Sequence, residues 1–264
     1  MSKRIDKVFA DKKKKLITFV TGGDPDKSTS QKILNRIVNS GADIIEIGMP
    51  FSDPMADGPT IQLSSNRAIQ NGTNLNTIFD ICQNIRKTND VIPIILMGYY
   101  NVILHYSIKN FTEKCSSIGI DGLIIVDLQP EEDSELFVSI KSHNIDLIRL
   151  ITPTTTKERL KIITSHASGF LYYVTITGVT GQKSADIEEL KNSIKDIRKQ
   201  SQLPIVAGFG IKNKEQVKEI CQTTDGAVVG SSIVKIIENR LDTKDMAIEL
   251  IGTFVKELKS GTSL

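Results

Sequence analysis

The stretch IEIGMPFSDPMADGPTIQ, residues 45–62, carries three carboxylates that could do acid–base chemistry. Glu46 interrupts an apolar, β-branched run, and Asp53 and Asp57 follow in a segment stiffened by prolines. An unpaired carboxylate is costly to bury, so one inside an apolar strand often marks a functional site. Two simpler interpretations stay open here: Glu46 could be paired with a basic residue such as Arg149, and Asp53 could only shape a turn.

Three glycine-containing segments are suited to hold a phosphate group. They are 178–181, 208–210 and 230–232, and each follows one of the last three β-branched runs of the chain. Glycine lets backbone N–H groups approach an anion closely, and the N-terminus of a helix adds a favourable dipole. Each segment alone would serve a tight turn equally well. Together they indicate a small phosphorylated substrate.

Composition excludes several other classes of function. A net charge of +2 over 264 residues gives no electrostatic footprint for nucleic acid or an anionic membrane. No run of 18 apolar residues is present, so no membrane-spanning segment is expected. The three histidines are too scattered for a metal centre. The three cysteines have no Cys-x-x-Cys spacing, which predicts reduced thiols in a cytosol-like compartment.

Short β-branched runs alternate along the chain with longer amphipathic segments. This alternation is typical of a parallel sheet covered on both faces. Eight strand–helix units predict a (β/α)₈ TIM barrel, formed as a single domain over residues 1–264, and exceed what a six-stranded doubly wound sheet needs. The predicted strands are 16–21, 43–48, 93–98, 122–127, 146–151, 169–175, 203–208 and 226–230.

The helices of this barrel are predicted from apolar residues at helical spacing. An extra N-terminal helix that carries Ile5, Val8 and Phe9 is expected to cap one end of the barrel. No lysine lies inside any predicted strand, which argues against a Schiff-base aldolase. The predicted helical segments include 28–40, 107–118, 131–143, 157–166, 186–200, 213–221 and 243–258.

A barrel places its catalytic groups at the C-terminal ends of the strands and in the loops after them. Glu46 comes at the end of the second predicted strand, in phase with Ile44 and Gly48, so we expect it to point into the barrel mouth. Asp53 and Asp57 lie on the loop that follows. The loops after the seventh and eighth strands, where two of the glycine segments occur, are the usual phosphate site of such barrels.

The segment from Glu46 to Gln62 resembles the signature of the tryptophan synthase α-subunit family. The resemblance implies a cytoplasmic lyase of tryptophan biosynthesis, which cleaves indole-3-glycerol phosphate by a retro-aldol reaction into indole and glyceraldehyde 3-phosphate. It also implies neither metal nor cofactor in this subunit, and a β-subunit partner that carries pyridoxal phosphate, in an α₂β₂ heterotetramer. The likeness continues in FVTGGDP (19–25), GYYN (98–101), VDLQPEE (126–132), YYVTITGVTG (172–181), AGFGI (207–211) and VVGSSIVKIIE (228–238).

The resemblance assigns roles to individual residues. Glu46 would exchange protons with indole C3 and the adjacent hydroxyl, at a pKa raised toward neutrality by an apolar mouth. Asp57 would accept a hydrogen bond from the indole N–H. Tyr172 would position Glu46 or the substrate hydroxyl, although a core aromatic is an equally good interpretation of Tyr172. The implied binding residues are Phe19, Tyr99, Ile124 and Phe209 around the indole, and Gly181, Gly208, Gly210, Gly230 and Ser231 around the phosphate.

Two departures from the family pattern and one hypothesis concern loops. Ile176-Thr177 stands where some members carry Arg-Ser, and the turn 223–225 is shorter than the Ala-Gly-Ala-Asp turn common in the family. Glycines in the loop 178–184 could act as hinges. We expect Thr180 to close onto Asp57, which would couple this loop to the proline-rich loop 50–59 and to a docked partner.

Three alternatives stay open at this point. An isomerase of a phosphorylated sugar or amino-sugar would share the phosphate site but release no indole. A ligand-sensing subunit would bind the phosphate without cleaving a carbon–carbon bond. Specialised members of the same family release free indole without a partner.

Overall fold

A computed structural model of the chain describes residues 2–174, 183–208 and 210–263, apart from the side chains of 183–186. Within these residues, nine strands form one sheet, and each hydrogen-bonded pair of neighbours runs parallel. The strands are β1 (Lys15–Thr21), β2 (Ile44–Gly48), β3 (Ile94–Gly98), β4 (Gly122–Ile125), β5 (Asp146–Leu147), β6 (Arg149–Ile151), β7 (Leu171–Val174), β8 (Ile205–Gly208) and β9 (Gly226–Val229).

The sheet closes on itself at a single interrupted strand. Its order is β5-β4-β3-β2-β1-β9-β8-β7-β6, so β5 and β6 are its two ends. They are separated by Ile148 alone, whose N–H donates to the carbonyl of Leu123 at 2.9 Å. β5 and β6 are therefore two halves of the fifth predicted strand, one paired with β4 and the other with β7. The predicted (β/α)₈ barrel is confirmed, with this one strand divided.

Helices surround the barrel, and several begin with a side-chain cap. The carboxylate of Asp26 accepts the N–H of Thr29 at 2.9 Å, which satisfies one of the free N–H groups at a helix start. The helices are α1 (Lys3–Ala10), α2 (Lys27–Asn39), α3 (Pro59–Gln70), α4 (Leu75–Thr88), α5 (Tyr100–Tyr106), α6 (Ile108–Ile118), α7 (Ser134–Ser142), α8 (Lys157–Ser165), α9 (Lys183–Arg198), α10 (Lys214–Cys221), α11 (Ser231–Glu238) and α12 (Lys244–Ser260), with a 3₁₀ turn at Pro130–Glu132.

Alternate residues of each strand serve two separate cores. One set packs outward against the helices, and the other fills the barrel interior. Helix α1 closes the interior at one end: Ile5 is fully buried there, and the ring of Phe9 lies 5.7 Å from that of Phe170. The predicted capping helix is thus confirmed. The buried interior residues are Ile5, Ile17, Ile44, Ile95, Ile124, Ile148, Phe170, Val206 and Val228.

Three aspartates fix neighbouring strands at their N-terminal ends. Asp43, Asp121 and Asp225 each immediately precede a strand, and we call them the strand-start aspartates. Each carboxylate accepts a backbone N–H at the start of the adjacent strand. The donors are Leu16 at 2.7 Å, Ile94 at 2.9 Å and Ile205 at 2.8 Å. These bonds hold the register at the barrel end opposite to the predicted site.

Strand β1 begins one residue earlier than predicted, at Lys15. The expectation that no strand contains a lysine is therefore wrong. The ammonium of Lys15 bonds to the carboxylate of Asp11 at 2.5 Å, at the N-terminal end of the strand. It lies far along β1 from Phe19 and Thr21, at the C-terminal end of that strand, so the argument against a Schiff base at the predicted site is unchanged.

Candidate active site

Glu46 is the third residue of β2 and is completely buried. It lies between Phe19 of β1 and Ile95 of β3 in the strand register. Within the described part of the chain, neither carboxylate oxygen has a hydrogen-bond partner. Burial therefore raises the pKa of Glu46 to about 8. A carboxyl group with this pKa is mostly protonated at neutral pH and can both give and accept a proton.

Arg149 does not neutralise Glu46, so the simpler interpretation of that carboxylate is wrong. The Arg149 guanidinium forms an ion pair with Asp133, which is fully buried. Arg149 also donates to the carbonyl of Leu128 at 2.8 Å, and His166 Nδ1 lies 3.1 Å from the Asp133 carboxylate. The neighbours of Arg149 in sequence, Ile148 and Leu150, belong to the barrel interior, so the arginine faces the outer layer.

A small open pocket lies at the C-terminal ends of β1 to β4. Its lining combines apolar side chains with one carboxylate, that of Asp57, and three hydroxyls, those of Thr21, Ser65 and Tyr99. Glu46 is not among the lining residues and lies one layer deeper, two residues before Gly48. The lining consists of Phe19, Thr21, Gly48, Met49, Asp57, Ile61, Ser65, Met97, Gly98, Tyr99 and Val126.

Asp57 is held in this pocket by Tyr99. The Tyr99 hydroxyl donates to Asp57 Oδ2 at 3.1 Å and accepts the N–H of Ala56 at 3.0 Å. The Tyr99 ring stacks on Phe51 with the ring centres 5.1 Å apart. Burial raises the pKa of Asp57, and the Tyr99 hydroxyl opposes this shift by stabilising the carboxylate. The bond from Tyr99 therefore orients the Asp57 carboxylate, which can accept a hydrogen bond next to the apolar side chains that line the pocket.

Tyr172 of β7 packs against the interior core, beside Leu150 and Val206 in the register. Burial raises the pKa of the Tyr172 hydroxyl well above its usual value, and the negative charge of Glu46 adds to this effect. The hydroxyl lies against Gly208: a Cβ at that position would stand 2.3 Å from the Tyr172 oxygen. Tyr172 is thus close enough to Glu46 for its hydroxyl to be affected by the charge of that carboxylate.

Of the glycine segments, the described residues Gly208, Gly210 and Gly230 lie at or just after the ends of β8 and β9, at the same end of the barrel, while 178–181 lies outside the described residues. Gly210 has a φ of +58°, a conformation that favours glycine. Gly230 caps α11, and Ser231 is the exposed first residue of that helix. A Cβ on Gly230 would stand 3.2 Å from Cβ and Cδ1 of Phe19, which lines the pocket. The helix start and the pocket are therefore adjacent.

Other predicted site residues are placed differently or are not described. Ile124 is fully buried in the barrel interior and is not among the pocket-lining residues, so its predicted contact with indole stays a prediction. Met97 and Val126 line the pocket instead and were missed. Each follows an interior residue by two positions, so the period of two along a strand was the signal that could have found them. Thr180, Gly181, Phe209 and the segment 176–177 lie outside the described residues.

Among the described residues, no group of three or more His, Cys, Asp or Glu side chains could hold a metal ion. None of the helices in that part of the chain is long and apolar enough to cross a bilayer. The three cysteines, Cys82, Cys115 and Cys221, are buried free thiols.

Comparison with known proteins gives one consistent result. A family model described as tryptophan synthase alpha chain matches residues 5–263. The chain is 45% identical over 262 residues to the tryptophan synthase alpha chain of Geobacter sp. (strain M21), which covers 98% of this chain and 97% of that protein. The same identity and coverage are found with the tryptophan synthase alpha chain of Citrifermentans bemidjiense.

The fold agrees with this sequence similarity. The crystal structure of tryptophan synthase subunit alpha from Legionella pneumophila str. Paris matches with a TM-score of 0.91 at 34% identity, covering 99% of this chain and 98% of that one. Sequence and fold therefore match over nearly the full length, including the segment that carries Glu46 and Asp57. This chain belongs to the tryptophan synthase alpha chain family.

Proposed function

We propose that this chain cleaves indole-3-glycerol phosphate into indole and glyceraldehyde 3-phosphate, with Glu46 as the proton-transfer group. The reaction needs a proton delivered to indole C3 and a proton removed from the hydroxyl next to the bond that breaks. The observation that carries the proposal is the burial of Glu46 without a partner among the described residues, which raises its pKa to about 8. Such a group can serve both proton transfers near neutral pH.

Asp57 provides the electrostatic part of the proposed mechanism. Its carboxylate would accept a hydrogen bond from the indole N–H and stabilise the positive charge that develops on the ring when C3 is protonated. An anion already fixed in place needs no reorganisation during the reaction. The 3.1 Å bond from Tyr99 supports this role, because it sets the direction of the Asp57 carboxylate. Tyr172 would position Glu46 or the substrate hydroxyl.

The phosphate group of the substrate would bind where β8 and β9 end. Gly208, Gly210 and Gly230 would allow its close approach, and the start of α11 with the Ser231 hydroxyl would supply hydrogen-bond donors and a favourable dipole. Phe19 and Tyr99 would contact the indole ring. Gly181, Phe209, Ile124 and Thr180 are proposed for the same site from sequence similarity alone.

The partner is proposed from the family and from exposed apolar residues at the mouth. Met55, on the loop between β2 and α3, is 83% exposed, and Leu104 of α5 is 50% exposed. Large apolar side chains exposed near a pocket fit a protein interface. We propose that a tryptophan synthase β-subunit docks here and forms a cytoplasmic α₂β₂ heterotetramer with this chain. Pyridoxal phosphate would be bound by the β-subunit only. We also propose that residues 1–264 of this chain form one domain.

One experiment tests this function directly. The purified chain is incubated with indole-3-glycerol phosphate, and indole release is followed with and without a tryptophan synthase β-subunit. We expect release that the β-subunit increases. Aldose–ketose turnover of a sugar phosphate without indole would indicate an isomerase. Binding without cleavage, even with the β-subunit present, would indicate a ligand-sensing subunit.

A further inference from the structure

Helix α5 has no capping side chain of its own. The residue before its first turn, Tyr99, makes no side-chain capping bond, although the backbone N–H groups of a first turn need acceptors. The acceptor comes from another part of the chain. Asp127, on the loop after β4, accepts the N–H of Tyr100 through Oδ1 at 2.8 Å. A carboxylate suits this place because it also interacts favourably with the helix dipole.

Asp127 is itself held in position by both of its neighbours. The N–H of Val126 donates to the carbonyl of Gly98 at 3.0 Å, and Gly98 comes directly before Tyr99. On the other side, Arg149 donates to the carbonyl of Leu128 at 2.8 Å. The backbone around Asp127 is thus fixed to β3 and to β6, so the exposed Asp127 side chain extends from an anchored part of the loop.

Asp127 is bonded to Tyr100, and the residue directly before it, Tyr99, holds Asp57. The Tyr99 hydroxyl bridges two residues of the loop after β2, because it accepts the N–H of Ala56 and donates to Asp57. The orientation of that hydroxyl depends on the backbone at Tyr99 and Tyr100, and Asp127 accepts the N–H of Tyr100. Burial is the main factor that raises the pKa of Tyr99, and the charges of Asp57 and, to the smallest extent, Asp127 add to it.

We infer that Asp127 is a positioning residue that sets the place of Asp57 through the backbone of Tyr100 and the hydroxyl of Tyr99. The kinetic part of this inference rests on the proposed function, while its structural part does not. An acceptor oxygen is what the role requires, and a negative charge is secondary. Asparagine should therefore replace Asp127 far better than alanine.

The kinetic test is a double-mutant cycle on the full chain, read as indole release. Asp127→Ala is expected to lower kcat by about 10-fold with little change in KM, because a small misplacement of a catalytic group is costly. Asp127→Asn should retain most of the activity. Tyr99→Phe removes the link to Asp57, so Asp127→Ala should have almost no further effect in that background.

A matched control removes a similar cap from another loop of the same barrel face. Thr156 is exposed and accepts the N–H of Arg159 at 3.2 Å at the start of α8. Thr156→Ala should leave kcat within about twofold, since loss of such a cap acts on local stability. Additive effects of Asp127→Ala and Tyr99→Phe, or equal losses in the alanine and asparagine variants, would overturn the inference.

Amide hydrogen exchange gives a readout that does not need activity. Asp127→Ala should speed exchange at Tyr100 and also at Ala56, which lies on a different loop and donates its N–H to the Tyr99 hydroxyl. In Asp127→Asn, the exchange rates of both amides should stay close to those of the parent chain. Faster exchange at Tyr100 alone means that Asp127 is a local cap and overturns the inference. If the parent chain releases no indole, the proposed function fails, and this exchange result still decides the positioning role.

Discussion

The guanidinium of Arg149 forms an ion pair with Asp133 on the outer side of the barrel wall, while Glu46, inside it, has no hydrogen-bond partner among the described residues. Arg149 and Glu46 both lie in strands, so a pairing of these two residues was a reasonable expectation from the sequence. The observed pairing leaves the cation satisfied by a buried carboxylate. It also leaves burial, without a compensating charge, as the factor that sets the pKa of Glu46.

This ion pair should matter for stability. Arg149→Met leaves Asp133 buried with His166 as its remaining side-chain partner, so we expect a loss of roughly 3–5 kcal/mol in the free energy of unfolding. Arg159 and Glu131 form a partly exposed pair in the same region, and Arg159→Met should cost at most about 1 kcal/mol. Urea unfolding of the two variants measures both values. Equal losses would contradict the importance of burial.

Glu46→Gln should abolish proton exchange while it keeps the shape of the side chain. We expect kcat for indole release to fall by at least ~10²-fold, which is the usual contribution of a general acid–base group. Substrate binding, measured by calorimetry, should be largely unchanged because the phosphate and indole contacts lie elsewhere. A variant that turns over within a few-fold of the parent means that Glu46 is not the proton-transfer group.

The raised pKa of Glu46 also predicts how stability depends on pH. Between the model-peptide value near 4.3 and the folded value of about 8, the folded chain binds a proton that the unfolded chain has lost. Stability should therefore fall as the pH rises through this range, with a slope of up to about 1.4 kcal/mol per pH unit from this group. Glu46→Gln should remove that part of the slope. Identical slopes in parent and variant would show that Glu46 is not held protonated.

Gly230 allows a test of the proposed phosphate site. A Cβ at this position would lie 3.2 Å from Phe19, so Gly230→Ala should cause a small steric effect. Gly230→Asp adds a negative charge where the phosphate would bind, and KM should rise at least about 10-fold above that of the alanine variant, because adjacent like charges are costly. A dephosphorylated substrate analogue should bind the two variants equally. If Gly230→Asp weakens binding of the substrate and of the dephosphorylated analogue equally, relative to Gly230→Ala, the phosphate does not bind at Gly230.

Much of the fold follows from local sequence pattern. The strands were visible as β-branched runs, and the alternation of residues along β2 was enough to place Glu46 inside the barrel. The interruption at Ile148 could not be predicted in this way. It depends on how the fifth predicted strand meets β4 on one side and β7 on the other, which is a property of the closed barrel and not of residues 146–151.

The contacts of the site depend on residues distant in sequence. Tyr99 and Asp57 are 42 residues apart, and nothing in either local segment indicates that the hydroxyl meets the carboxylate. Arg149 and Asp133 are 16 residues apart and come from different elements. Long side chains can reach several partners, so their pairing is settled only when the elements have packed. Sequence similarity supplied the roles of such residues but not the contacts that fix them.

The strand-start aspartates have a consequence for how this barrel can change. Their bonds to Leu16, Ile94 and Ile205 hold three strand pairs from the end opposite to the pocket. Variation in the loops after β2, β8 and β9 therefore leaves these bonds intact. A library confined to those loops could be selected for new substrates, while heat resistance is improved separately around the aspartates. Substrate specificity and stability could therefore be varied independently by directed evolution, each at its own end of the barrel.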